Sequence, residues 1–131
     1  MEEHTSPLKG DVYMEIKVHV DNDIVILKLA GSLVANVVED LKSQVKALMA
    51  KKFNKFIFDL VAVDFMDSSG LGACMATNRE ICSNGGILVC AGLSGSVAKL
   101  FKVTRADQKV PVAANQSEAL NLVISRIINN G

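Results

Sequence analysis

The sequence predicts a single α/β domain: a mixed, mostly parallel sheet of four to five strands, about four helices and an N-terminal β-hairpin. Three observations carry this. Residues 12–20 alternate strictly between apolar and polar side chains, the period of a half-buried strand. Three further apolar runs, at 24–30, 55–60 and 87–91, alternate with helix-patterned stretches. Repeated strand–helix–strand units demand right-handed crossovers and parallel pairing. Finally, half of the 131 residues are hydrophobic and 21% are charged, which suits one packed core and argues against disorder.

The elements follow in order. Residues 1–10 carry two acids, Pro7 and Gly10 and read as a flexible N-terminal tail, leaving 11–131 as the domain. Val12, Met14, Ile16, Val18 and Val20 share one face of the first strand; Tyr13, Glu15, Lys17 and His19 share the other. Asp21-Asn22 reads as a turn, and residues 24–30 return as a second strand. That strand is nearly all apolar, which suits a central place. The first strand, by contrast, is an edge open to pairing with a second copy, a route to a homodimer. Residues 31–35 form a loop. Asn36 and Glu39 have capping-box spacing before a helical stripe of Leu41, Val45, Leu48 and Met49.

Residues 55–60 make a third strand and 68–82 a second helix, with Leu71, Cys74, Met75, Ile81 and Cys82 inward and Asn78 interrupting them. Asn84-Gly85-Gly86 ends that helix, since these residues tolerate left-handed backbone. Residues 87–91 form a fourth strand, and 94–103 a third helix with Val97, Leu100 and Phe101 inward. Val110-Pro111-Val112 is at most a short edge piece, because proline donates no ladder hydrogen bond. Asn115 and Glu118 repeat the capping-box spacing before a last helix that turns Leu120, Val123, Ile124 and Ile127 to the core.

Composition narrows the function. Lys plus Arg and Asp plus Glu both number 14, so the basic excess of a nucleic-acid binder is absent. Cys74, Cys82 and Cys90 are odd in number and form no C-x-x-C, so neither a disulfide framework nor a zinc site is expected. They read as core thiols in a reducing cytosol. The N-terminus lacks the basic flank and apolar core of a signal peptide. No apolar run approaches the ~20 residues of a membrane span. A cytoplasmic protein without a membrane span is expected.

The densest chemistry lies in Asp67-Ser68-Ser69-Gly70-Leu71-Gly72, which places two hydroxyls between an apolar strand and a helix. Helix N-termini have unpaired N–H groups and favour negative charge. These serines are either caps or a place for a phosphate. Two hydroxyls exceed what one cap requires, and glycines in the first turn cost helix stability while letting another chain approach. No catalytic set accompanies them: His4 is in the tail, His19 is on the polar face of the first strand, and no serine elbow or phosphate loop is present. Asp59, Asp64 and Asp67 lie near one strand end without the further ligands a Mg²⁺ site needs. Neither metal nor cofactor is called for, and an enzyme or ligand binder using residues 64–69 lacks its base.

The run Phe58-Asp59-Leu60 through Val63-Asp64-Phe65-Met66-Asp67-Ser68-Ser69-Gly70-Leu71-Gly72 resembles the STAS domain family. Leu29-Ala30-Gly31-Ser32-Leu33, Gly85-Gly86, Val97-Ala98-Lys99-Leu100-Phe101 and Ser117-Glu118-Ala119-Leu120 support the resemblance, which spans about residues 10–128. It implies a stand-alone bacterial anti-sigma factor antagonist with a STAS-like fold, acting in transcription regulation by partner switching. The unphosphorylated form would bind an anti-sigma factor that is a serine kinase. Phosphorylation of Ser68, with Ser69 the second choice, would release it, and a phosphatase would reverse the step. Asp67, Ser68, Ser69, Gly70, Leu71 and Gly72, with Ser32, Val34 and Asn36 from the preceding loop, would form the docking surface. Val34 stands where many antagonists carry an acid, and Thr104-Arg105-Ala106 where the family commonly has Thr-Gly-Leu. The alternative is a non-switching scaffold, or a subunit of a signalling or membrane-associated complex, whose serines only cap.

Overall fold

The computed structural model describes residues 2–7 and 13–130. The chain runs β1 (Glu2–Pro7), β2 (Tyr13–Asp21), β3 (Ile24–Leu33), α1 (Ala35–Ala50), β4 (Lys55–Met66), α2 (Ser68–Ser83), β5 (Ile87–Ala91) and α3 (Gly95–Val103). A 3-10 turn (Ala106–Gln108), β6 (Val112–Ala113) and α4 (Gln116–Asn130) complete it. One sheet holds all six strands in chain order. β1, β2 and β3 pair antiparallel; β3, β4, β5 and β6 pair parallel. The α/β class, the mixed sheet and the four helices are as expected.

Each crossover steps the same way along the sheet, so right-handed connections place α1, α2 and α3 on one face. Val37, Leu41, Cys74, Ile81, Val97 and Phe101 accordingly share a core with Phe56, Phe58, Leu88 and Cys90. Among the described residues the opposite face is covered by α4, through Ala119 and Val123 against Ile26, Ile57 and Val89. Strand side chains alternate between faces, which is why Phe56 and Ile57, both fully buried, belong to different cores.

Several expectations are corrected. Residues 2–7 of the expected tail pair antiparallel with β2, from Glu2 opposite Val18 to Pro7 opposite Tyr13. Their sequence has no apolar alternation, so only backbone pairing along a neighbouring strand defines them. The edge considered for a second copy is therefore occupied by β1. Val12 lies outside the described residues. The hairpin turn is Asn22-Asp23, both with positive φ (50° and 72°), one residue later than read from sequence.

Val20 is 45% exposed. Ile124 and Ile127 are exposed because only the first half of α4 packs on the sheet. Cys82 is exposed while Cys74 and Cys90 are buried. The buried face of α2 is Gly70, Ala73, Cys74, Thr77 and Ile81, and Cys82 lies one helical step, 100°, beyond it. Arg105 adopts left-handed backbone (φ 61°) after α3, at the position where the resemblance places glycine.

The buried thiols of Cys74 and Cys90 face each other. Their hydrogen bond, burial, and the charge of a Cys74 thiolate, in that order, hold the Cys90 thiol well above its ordinary pKa. The unfolded chain therefore loses this proton first, near pH ~8.5. The stabilisation is complete below that pH and is lost as pH rises toward the folded pKa, by up to ~1.4 kcal/mol per unit. Urea melts across pH 7.5 to 10 should show this decline, and Cys90→Ala should flatten it; an unchanged slope in the variant would assign the decline elsewhere.

Candidate functional site

The site forms where two strand–helix junctions meet. β4 carries two more residues than β3 over their paired length. Lys28 and Ala30 face Asp59 and Ala62, and Gly31 and Ser32 face Val63 and Phe65. Each step inserts one residue into β4, a bulge that bends the strand and re-aims side chains. At the first, the buried Asp59 carboxylate accepts the Val61 N–H at 3.1 Å. At the second, Ser32 Oγ donates to Asp64 Oδ1 at 3.2 Å. The extra residues bring Met66 level with Leu33, so β3 and β4 deliver their helices side by side.

Asp67 clasps the two. Its N–H donates to the Leu33 carbonyl at 3.3 Å. Its Oδ1 accepts the Gly70 N–H at 2.9 Å and its Oδ2 accepts the Ala35 N–H at 3.3 Å. One carboxylate thus caps the N-termini of α1 and α2 together. The expected Asn36–Glu39 capping box does not form: α1 starts at Ala35 with Val34 as N-cap and no side-chain cap bond of its own. Asn36 lies inside the first turn, exposed, because a carboxylate 31 residues downstream has replaced the local cap. Asn115 does cap α4, accepting the Glu118 N–H at 2.9 Å.

Removing the clasp should be costly. One N-cap side chain contributes ~1 kcal/mol, so Asp67→Ala is expected to lose about 2 kcal/mol in a urea melt. A loss well below 1 kcal/mol would mean that the α1 bond contributes nothing.

Because Asp67 performs the capping, the serines are left free of it. Ser68 and Ser69 are exposed, as is Gly72; Leu71, Asp67, Ser32 and Val34 are half-buried. Gly72 has open space where a side chain would stand. Gly70 is different. It is buried, and a Cβ there would lie 2.2 Å from the Leu33 carbonyl oxygen, so its bareness serves the chain's own packing and not a partner's approach. Phe65, 49% exposed beside Ser32 in the register, was not singled out from the sequence. Apolar alternation assigns it no face, because the bulge shifts the period just before it.

The remaining candidates do not converge. His19 is opposite Ile26, seven residues along β3 from Leu33, on the order of 20 Å from the clasp. It is no base for Ser68. His4 is opposite Ile16 in the β1–β2 register. Asp59, Asp64 and Asp67 each hold a separate structural bond, and no group of three His, Cys, Asp or Glu side chains gathers among the described residues. What the arrangement offers is an exposed hydroxyl beside two converging positive helix ends, at the carboxyl edge of parallel strands where α/β folds place their functional groups. Among the described residues no helix is long and apolar enough to cross a membrane.

Known proteins resemble this chain in sequence and in fold. The sequence profile of the STAS domain matches residues 15–119. The anti-sigma-B factor antagonist of Listeria monocytogenes is 29% identical over 94 residues, covering 72% of this chain and 82% of that protein. The solved structure of an anti-sigma factor antagonist from Mycobacterium paratuberculosis superposes with a TM-score of 0.77 at 20% identity, over 84% of this chain and 93% of that one. The anti-sigma factor antagonist SpoIIAA in its unphosphorylated form gives 0.65 at 25% identity, over 82% and 96%. The Bacillus SpoIIAA structure in the phosphorylated form gives 0.66 at 23%, over 82% and 98%.

Proposed function

The chain belongs to the STAS domain family, and on that premise we propose that it is an anti-sigma factor antagonist switched by phosphorylation of Ser68. It is a regulator and not an enzyme. In the unphosphorylated form its clasp surface docks on an anti-sigma factor that is also a serine kinase, and the sigma factor is released. The kinase then phosphorylates Ser68 and frees itself; a phosphatase resets the switch. The observation that carries this reading is that Ser68 is exposed while Asp67 alone caps α2. A phosphate on Ser68 would disturb no bond of the fold. It would add close to two negative charges, tolerated by the two helix ends beneath and repelled by a partner fitted to a neutral hydroxyl. That the structurally similar SpoIIAA is known in an unphosphorylated and a phosphorylated form supports phosphorylation as the switch.

Ser32, Val34, Ser69, Leu71, Gly72 and the exposed Phe65 complete the docking surface. Val34 offers the partner an apolar contact beside the serine, so a kinase that reads this chain does so without an acid at that place. Intact-mass measurement of the protein isolated from its own cells decides the matter. A population heavier by one phosphate, absent in Ser68→Ala, is the expected result. No such population under any growth condition, with anti-sigma factor binding unchanged in Ser68→Asp, would instead make the protein a non-switching scaffold.

A further inference from the structure

The end of the domain remote from Ser68 holds a cavity of about 480 Å³. It lies where the start of β4, the end of α2, the segment after the 3-10 turn and the last turns of α4 come together. Its volume falls inside the ~300–1,000 Å³ of small-molecule pockets. Half-buried Ile87 and Pro111 and the exposed Ile127 line it as an apolar floor, with buried Leu88 and Val110 behind them. Three cations stand around that floor, Lys55, Lys109 and Arg126, against one carboxylate, Asp107.

The cations are not equivalent. Lys55 Nζ is bound by Asp23 Oδ2 at 3.1 Å and Asn54 Oδ1 at 3.3 Å, so its charge is already answered. Lys109 and Arg126 have no ion-pair partner among the described residues. They come from different elements, and Asn78 Nδ2 donates to the Lys109 carbonyl at 3.3 Å, tying the post-helical segment to α2. The wall that carries Lys109 is therefore held in place before any ligand arrives.

From this we propose that the cavity binds a small organic anion, with its apolar body on Ile87, Pro111 and Ile127 and its head between Lys109 and Arg126. An apolar floor favours the body through burial; two unanswered cations favour the anionic head and disfavour a neutral or cationic analogue. The site stands apart from the Ser68 switch and holds whether or not that switch operates.

Cys82 lines the same cavity and is exposed, whereas Cys74 and Cys90 are buried, so alkylation of the native protein reads Cys82 alone. The test uses anilinonaphthalene sulfonate as the anion and N-phenylnaphthylamine as its neutral counterpart. The sulfonate should bind saturably and slow Cys82 alkylation by iodoacetamide several-fold at saturation. The double variant Lys109→Gln/Arg126→Gln, altered only at exposed side chains, should bind it about tenfold more weakly, ~1.4 kcal/mol, and lose the protection. The neutral probe should bind more weakly and be indifferent to the double variant. An unprotected Cys82 at saturating sulfonate, or equal affinity in parent and double variant, would overturn the site; equal binding of the neutral probe would overturn its anion preference.

Discussion

Ser68→Asp is expected to weaken binding to the anti-sigma factor by about 2–5 kcal/mol, roughly thirtyfold to several-thousandfold, the cost of facing a buried interface with an unpaired charge. The stability of the free protein should stay within ~0.5 kcal/mol of the parent, as for surface substitutions generally. The separation follows from the geometry. The side chain is exposed and bears no cap, since the Gly70 N–H is held by Asp67 at 2.9 Å. An added carboxylate sits over the N-terminus of α2, where the helix dipole offsets its repulsion from Asp67. The loss should fall on complex lifetime more than on association rate. Paired calorimetric titrations and urea melts of parent, Ser68→Ala and Ser68→Asp test this. Undiminished affinity in Ser68→Asp would remove Ser68 from the interface, and a lost fold would remove the idea that the hydroxyl is structurally spare.

Gly70→Ala should have the largest effect on stability, a loss of about 3 kcal/mol or more. The added methyl would stand 2.2 Å from the Leu33 carbonyl oxygen, 2.9 Å from Met66 Cγ and 3.0 Å from Leu33 Cγ. The side chains can yield a little; the carbonyl cannot yield freely. It already accepts the Asp67 N–H, so pushing it away loosens the residue that caps both helices. Gly72→Ala is the matching control. With open space at that position and a helical backbone, it should leave stability unchanged or raise it by up to ~1 kcal/mol. Equal melts for the two variants would contradict the packing at Gly70.

Long apolar periodicities were legible in the sequence because they depend only on which residues share a face. β5 was read at its observed bounds, and α2 to within one residue. The end of β4 was not, because alternation fails at a bulge: residues 61–66 remain in the strand while their side chains change face. β1 was missed for a different reason. A strand held at an edge by backbone pairing needs no pattern of its own, and residues 2–7 have none. Ile124 and Ile127 fit a helical stripe perfectly well, yet nothing in the chain says where the sheet beneath α4 stops.

The same division runs through the site. The motif located Asp67 and the two serines between a strand and a helix. By itself, then, the sequence determined the layer architecture and the position of the two serines, since periodicity and turn chemistry are local properties. Only the tertiary structure decided how the work is shared: a single carboxylate holds two helices that begin more than thirty residues apart, Gly70 belongs to the core, and the neighbouring hydroxyl is left exposed. Such a division depends on the register of β3 against β4, and register is set by long-range pairing that no local window contains.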